Sequence, residues 1–304
     1  MRNRRFTSIL ILPDAGPGVG LGHLTRCVAL AQAFRRRGAR IRFVCADPAG
    51  ARWLRGLGFA VASRFTDGPW DLAVLDTYRL AEPVFRKVRA ASRRVLVIDD
   101  LGRAPRGTDW ILNSSPAADA SWYASSGAKL LLGPRFHPLR EEFLKPASRR
   151  PARFSAASVL VTLGGGQPCA RFECVLDVVR EAVPSAHVRT VRGGASAAAM
   201  RRLMLGCDLA VSGTGQTAYE LAACGLPAVL IRLADNQRNN ERGMVRGGAA
   251  VSAGAFGSTG FPRRLRRLVR HLADDGSLRR RMGARGRALV DGRGATRVAE
   301  RVLD

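Results

Sequence analysis

His23 is the side chain whose neighbours best suit it to move a proton. It closes the run Asp14-Ala-Gly-Pro-Gly-Val-Gly-Leu-Gly-His23, which separates the apolar segment Ser8–Leu12 from an amphipathic stretch over about Leu24–Arg37. A short apolar run, then glycines, then a helical period reads as strand, turn and helix. Gly20 and Gly22 permit a tight turn and a close approach of ligand to backbone. His23 then stands at a helix amino end and at the carboxyl end of a parallel strand, where open α/β sheets bind ligands. An imidazole there can take a proton from water or an alcohol. The plainer alternative is a histidine that only caps the helix. Asp14, at the strand end, and Tyr78, in Leu75-Asp-Thr-Tyr78, are the next groups able to activate a hydroxyl. Arg26 and Asp99 are placed to bind substrate beside them.

A second set of candidates comes from backbone-rich loops. Gly164, Gly165 and Gly166 follow the apolar run Val159–Leu163, and Ser212-Gly-Thr-Gly-Gln-Thr217 follows Leu209–Val211 and opens a helix. Amide groups at Gly213, Thr214, Gly215, Gln216 and Thr217 suit a diphosphate. Glu220 falls one turn into that helix, within reach of ribose hydroxyls. Asn236 and Gln237 follow Ala228–Leu233 and offer amides to a sugar or phosphate. Each loop alone is also an ordinary strand-to-helix turn. Their shared position after strands of one domain favours a nucleotide site. No G-x-x-x-x-G-K-[ST] loop is present, which excludes a P-loop ATPase.

Two complete alternations of strand and helix carry these loops. The first uses strands near Ser8–Leu12, Ile41–Cys45, Leu72–Leu75 and Arg94–Ile98, with helices near Leu24–Arg37 and Pro83–Ala91. The second uses strands Val159–Leu163, Val188–Val191, Leu209–Val211 and Ala228–Leu233. Helices near Arg171–Ala182, Ala197–Leu205, Thr217–Cys224 and Asn239–Arg246 intervene. Continuous apolar strands separated by helices imply parallel sheets covered on both faces. The expected architecture is α/β, with two Rossmann-like parallel-sheet domains facing each other across a cleft. The break at Lys145-Pro-Ala-Ser-Arg-Arg-Pro-Ala-Arg153 predicts a domain over 1–148 and another over 155–304. The last amphipathic stretch, Ala295–Leu303, is able to cross back onto the first domain.

Bulk composition narrows the partners. The chain has 304 residues, 46% hydrophobic, enough to bury two cores. No apolar run reaches the length of a membrane span, and the basic start before Phe6 lacks the cleavage site of a signal peptide. A cytoplasmic protein without stable membrane insertion is expected. Fifty basic residues against 24 acidic ones give a net charge of +26. Arginine accounts for all of the basic residues except Lys87, Lys129 and Lys145, and is spread through every segment, as a codon bias would leave it. With 6% aromatic residues and no RNA-binding signature, nucleic acid is not an expected partner. A basic surface attracting phosphorylated small molecules fits better. The six cysteines form no C-x-x-C pair and read as free thiols in a reducing compartment. With four histidines and no D-x-D segment, neither a metal nor a cofactor is expected.

The segments Gly20-Leu-Gly-His-Leu-Thr-Arg-Cys27, Val97-Ile-Asp-Asp-Leu101, Leu132-Gly-Pro134 and Gly164-Gly165 occur in order, followed by Glu220, Gly225-Leu-Pro227, Asn236-Gln237 and Val290-Asp-Gly-Arg-Gly294. This pattern resembles the UDP-sugar hydrolases of pseudaminic acid biosynthesis and the related spore-coat polysaccharide proteins. The resemblance implies the two-domain GT-B fold and hydrolysis of UDP-2,4-diacetamido-2,4,6-trideoxy-β-L-altrose. That reaction cuts the anomeric C–O bond with inversion and without metal, releasing UDP and free sugar. It also implies that His23 is the base and that Tyr78, matching the family's Asp-His-Tyr segment, touches sugar or water. Thr77 stands where the family commonly has His, and Gln167 where Asp usually follows the glycines. These departures bear on the sugar rather than on the fold. The chemistry is self-consistent, because a diphosphate leaving group needs little acid assistance and a carboxylate pair is dispensable. The alternative is a GT-B glycosyltransferase with a UDP-sugar donor, in which His23 deprotonates an acceptor hydroxyl. A third reading is a non-catalytic nucleotide-sugar binding protein.

Overall fold

The computed structural model describes residues 8–16, 21–65, 67–78, 80–145, 154–165 and 167–304. The chain divides into two compact units, Met1–Arg140 with Arg293–Asp304, and Glu141–Gly292. The division expected from the sequence, 1–148 and 155–304 with a last stretch able to cross back, differs in the placing of residues 141–145. Residues 146–153, where the break was expected, lie outside the described residues.

In the first unit the elements run β1 (Ser8–Pro13), α1 (Gly22–Arg36), β2 (Arg40–Val44), α2 (Pro48–Gly56), β3 (Ala60–Ala62), β4 (Trp70–Asp76), α3 (Glu82–Ala90), β5 (Ser92–Ile98), β6 (Trp110–Asn113) and β7 (Lys129–Leu132). All strands pair in parallel, in the order β3-β2-β1-β4-β5-β6-β7. The order reverses between β1 and β4, which register Pro13 against Asp76 at their carboxyl ends. Ile9, Leu10 and Ile11 are wholly buried, as a strand covered on both faces requires. The pleat divides the strands between two layers. Leu72, Val74, Leu96 and Ile98 pack under α1 and α2, while Ala73, Leu75, Val95 and Val97 pack against Phe85 and Val88 of α3.

Local signals explain the helix bounds. Asp47 caps α2 by accepting from the Gly50 amide at 2.7 Å, and Pro48 occupies the first turn where its missing N–H costs nothing. Past the end of α1, Gly38 sits at φ 87°, and its amide and that of Ala39 bond back to Arg35 and Phe34.

The second unit runs β8 (Ser158–Thr162), α4 (Cys169–Ala182), β9 (His187–Thr190), α5 (Ala197–Gly206), β10 (Leu209–Gly213), α6 (Gln216–Ala223), β11 (Ala228–Arg232), α7 (Arg238–Arg246), β12 (Ala250–Ala255), α8 (Phe261–Asp274) and α9 (Gly276–Leu289). Its parallel sheet has the order β12-β11-β10-β8-β9, so the reversal falls between β8 and β10. Phe172, Val175 and Val179 of α4 and Phe261, Leu265 and Val269 of α8 cover one face. On α6, helix α9 comes close because Gly283 and Gly286 lack side chains. A Cβ on Gly283 would stand 2.5 Å from the Gly225 carbonyl.

The last helix, α10 (Gly294–Leu303), belongs to the first unit and lies on α1, burying Ala295, Val298, Ala299 and Val302. That spacing of three and four is a single helical face. No helix among the described residues is long and apolar enough to cross a membrane.

Candidate functional site

The reversal between β1 and β4 places a buried charged cluster at the carboxyl edge of the first sheet. β4 ends on Asp76, whose carbonyl accepts from the Asp14 amide at 2.7 Å, so the chain leaving β1 is held against it. α1 starts one residue before His23, and Arg26 lies three residues on, which puts both side chains on one helix face. His23 Nδ1 meets Asp76 Oδ1 at 2.7 Å. Arg26 binds the same carboxylate side-on, Nε to Oδ2 at 2.6 Å and Nη2 to Oδ1 at 2.6 Å. The Cys27 thiol adds a contact to Oδ2 at 3.4 Å. Arg26 Nη1 then reaches Asp100 Oδ2 at 2.7 Å, and Tyr78 donates its phenol proton to that same oxygen at 2.8 Å. The Tyr78 ring stands edge-on to His23, with centroids 4.7 Å apart.

Burial makes the charges decisive. Asp76 is 0% exposed, and Arg26, Asp100 and His23 are at 7%, 8% and 9%. Burial alone would push the Asp76 carboxyl up, but the Arg26 guanidinium and His23 outweigh it and hold it well below the usual carboxylate range. For Arg26, burial opposes the charge while Asp100 and Asp76 win, keeping it firmly protonated. Burial, reinforced by Asp100, raises the Tyr78 phenol, so it stays a donor. Burial likewise raises the Cys27 thiol.

The tautomer of His23 follows. An ionised carboxylate only accepts, so the 2.7 Å contact requires a proton on Nδ1, and in the neutral imidazole the lone pair is then on Nε2. The 3.3 Å approach of Arg26 Nη2 to Nδ1 is then proximity of two donors that share Asp76. Among the described residues, no group hydrogen-bonds Nε2. This is the arrangement of a base oriented by an acid.

The structure redistributes several roles expected from sequence. Arg26, expected to bind substrate, has its guanidinium taken by Asp76 and Asp100. Asp99, expected near the sugar, accepts from the amides of Leu101, Arg103 and Ala104 and closes a turn. Asp14 accepts from the Tyr78 amide at 3.1 Å, so it holds the Tyr78 backbone. Gly22 opens α1, and Gly20 lies outside the described residues. Sequence reasoning placed neither Asp76 nor Asp100 among the site residues. The available signal for Asp76 was a carboxylate directly after the apolar run Leu72–Leu75, where no solvent awaits it.

The second sheet presents a different edge. Gly164, at φ 85°, and Gly165 follow β8; Gly166 lies outside the described residues. Gly213 ends β10 so tightly that a Cβ would meet Leu233 at 2.7 Å and the Leu163 carbonyl at 3.0 Å. Gly215 precedes α6, and no side chain caps that helix. Gln216 and Thr217 form its half-buried first turn, and Glu220 lies one turn on, 3% exposed. Thr214 has only its amide to offer a phosphate, because its hydroxyl is buried and donates to the Ile231 carbonyl at 3.2 Å. Gln237 accepts from the Leu233 amide at 3.0 Å, and its Nε2 lies 3.8 Å from where a Cβ on Gly215 would stand. Asn236 is exposed beside it. These glycines and amides thus gather around the β8–β10 reversal, the place where such sheets take ligands.

Among the described residues no three His, Cys, Asp or Glu side chains converge as metal ligands would. A cavity of about 460 Å³, lined by residues including Arg40, Arg42 and Trp70, opens at the amino ends of β2 and β4, the opposite edge from His23.

No family model matches the chain. A Helicobacter pylori protein named pseudaminic acid cytidylyltransferase and UDP-2,4-diacetamido-2,4,6-trideoxy-beta-L-altropyranose hydrolase is 24% identical over 245 residues, 75% of this chain. The chain spans 45% of the length of that relative. Among solved structures, LpCGTa in complex with UDP is similar at a TM-score of 0.70 and 14% identity, covering 98% of both chains. The glycosyltransferase of kitacinnamycin follows at 0.66 and 17%, covering 98% of both chains. Anabaena HepE, solved with UDP-glucose, reaches 0.62 and 14%, covering 97% of this chain and 99% of its own. These likenesses establish the fold as GT-B.

Proposed function

We propose that this chain is an enzyme acting on a nucleotide sugar, and that it transfers the sugar to an acceptor hydroxyl with His23 as base. One observation carries the reading: His23 Nδ1 held at 2.7 Å by an ionised, buried Asp76, which leaves Nε2 as the proton acceptor at the sheet's ligand edge. In the reaction Nε2 takes the proton of the attacking O–H, and the oxygen bonds to the anomeric carbon from the face opposite the diphosphate. The anomeric C–O bond breaks and its electron pair leaves on the diphosphate, so the configuration inverts. Asp76 stabilises the imidazolium that forms, and general base catalysis of this kind is worth roughly 10²–10⁴ in rate. Tyr78 packs beside the imidazole and Asp100 holds its phenol.

The second unit supplies the nucleotide site in this reading. Gly164, Gly165, Gly213, Gly215, Gln216 and Thr217 bring backbone to the diphosphate at the amino end of α6, with Gln237 and Asn236 adjoining and Glu220 behind. Similarity to the glycosyltransferase of kitacinnamycin supports the transfer, and similarity to structures solved with UDP or UDP-glucose supports UDP as the nucleotide.

A second reading replaces the acceptor alcohol with water. The Helicobacter pylori relative, whose name includes a UDP-sugar hydrolase, favours it. Base and nucleotide site serve either reaction unchanged, and only the attacking oxygen differs. The test incubates the protein with UDP- and thymidine-diphosphate sugars, in chelator, with and without hydroxyl acceptors, and follows nucleoside diphosphate and sugar products. Diphosphate release that depends on acceptor and yields a glycoside supports transfer. Release at the same rate without acceptor, yielding free sugar, supports hydrolysis. No release from any donor sinks both.

A further inference from the structure

The cluster around His23 holds one more carboxylate than a base and its orienting acid require. Asp100 does not touch the imidazole; it is joined to it through Arg26, which spans from Asp76 to Asp100. If Arg26 served only to neutralise Asp76, the pair would be complete without Asp100. One guanidinium against two buried carboxylates leaves a single negative charge. Protonation of His23 cancels it. His23 meets Asp76 of β4, Arg26 of α1 and the Tyr78 ring, and behind these stand Cys27 on Asp76, Asp14 on the Tyr78 amide and Asp100 on Arg26 and Tyr78. Cys27 and Tyr78 stay neutral, because burial raises both, and the Asp14 carboxylate is turned to the Tyr78 amide.

We propose that Asp100 is a positioning residue that acts through Arg26 to set the charge of the buried cluster, so that the cluster is balanced only when His23 carries the proton taken from the attacking hydroxyl. Without that second charge, Arg26 and Asp76 would cancel each other, and an imidazolium would stand as an uncompensated cation in a buried site. That state is costly. Asp100 therefore favours the protonated imidazole, and Tyr78 fixes Asp100 by donating to the oxygen that also receives Arg26. This rests on His23 being the base, but its test does not need turnover.

The whole 304-residue chain with labelled imidazole rings is titrated by NMR. Only four histidines are present, so His23→Gln assigns the signal by its disappearance. In Asp100→Asn, which keeps an oxygen for Arg26 and Tyr78 while removing the charge, the His23 midpoint is expected to fall by roughly half to one pH unit. Asp100→Ser, smaller and also neutral, is expected to shift it the same way and carries the test should the amide variant fail to fold. A midpoint within about 0.2 unit of wild type in a folded variant overturns the inference, since Asp100 would then matter only for geometry. In turnover the acid limb of kcat is expected to follow the NMR midpoint. A midpoint that moves while the rate profile stays put keeps the charge coupling of Asp100 to His23 but overturns its role in the reaction, because His23 is then not the base.

Discussion

The carboxyl edges of the two sheets solve different problems with different materials. In the first unit the β1–β4 reversal gathers charged side chains that neutralise and orient one another, Asp76 at the centre with His23, Arg26 and Cys27 around it. In the second unit the β8–β10 reversal is lined by glycines and by side chains turned back to the backbone, such as Thr214 and Gln237. Interlocked buried charges can move a proton but tolerate little change, because removing one partner strands another. Glycines and amides suit an anion that arrives and leaves. In the proposed function the same topological position thus serves chemistry in one unit and nucleotide binding in the other.

Three substitutions or conditions sharpen this contrast. The largest effect is expected for Asp76→Asn. Losing the anion releases the tautomer of His23 and leaves Arg26 short of a partner, so kcat is expected to fall by roughly 10²–10⁴. Stability is expected to fall by roughly 3 kcal/mol, as for other broken buried pairs, measured by denaturant unfolding. A folded variant with near-normal kcat would show that the charged edge is only structural. Gly215→Ala probes the other edge. Gly215 has φ −86° and a Cβ would meet nothing nearer than 3.8 Å, so the fold should tolerate it. A methyl where the diphosphate approaches is expected to weaken nucleoside diphosphate binding by about tenfold, or about 1.4 kcal/mol, with kcat at saturation little changed. Calorimetry returning wild-type affinity would place the ligand elsewhere.

The smallest effect concerns acid. Asp76 titrates lower folded than unfolded, so its stabilisation is complete above the unfolded carboxylate range, near pH 4, and is lost as pH falls through its lower folded value. Stability below about pH 4 should therefore fall less steeply in Asp76→Asn than in wild type. Equal slopes would mean that Asp76 is not held ionised.

The difference between the edges also explains what the sequence revealed. The glycine loops of the second unit are local signals, readable because a turn and a helix start need particular residues within a few positions. The strands carrying them were legible for the same reason, each being an apolar run of ordinary length. His23 was legible from the glycines before it. Its partner is 53 positions away, and nothing local marks Asp76 as that partner until β1 and β4 are set side by side. Asp99 and Asp100 show the limit most clearly. Adjacent in sequence and alike in type, they differ only in direction, one toward the turn amides and one toward Arg26. Short strands such as β3 and β6 escaped because three or four residues carry too little pattern. Helix α8 carries an apolar period at Phe261, Leu265, Val269 and Leu272 within arginine-rich sequence, whereas α9 packs through Gly283 and Gly286 and has little apolar pattern to read.

The most direct measurement compares wild type with His23→Ala for nucleoside diphosphate release and for binding of the same diphosphate, each variant checked for fold by circular dichroism. With His23 as base and the nucleotide held by the second unit, kcat is expected to drop by roughly 10²–10⁴ while the diphosphate Kd stays within about twofold. A near-normal kcat with a large loss of substrate affinity would contradict the account, making His23 a binding residue and leaving the attacking hydroxyl to be activated by another group.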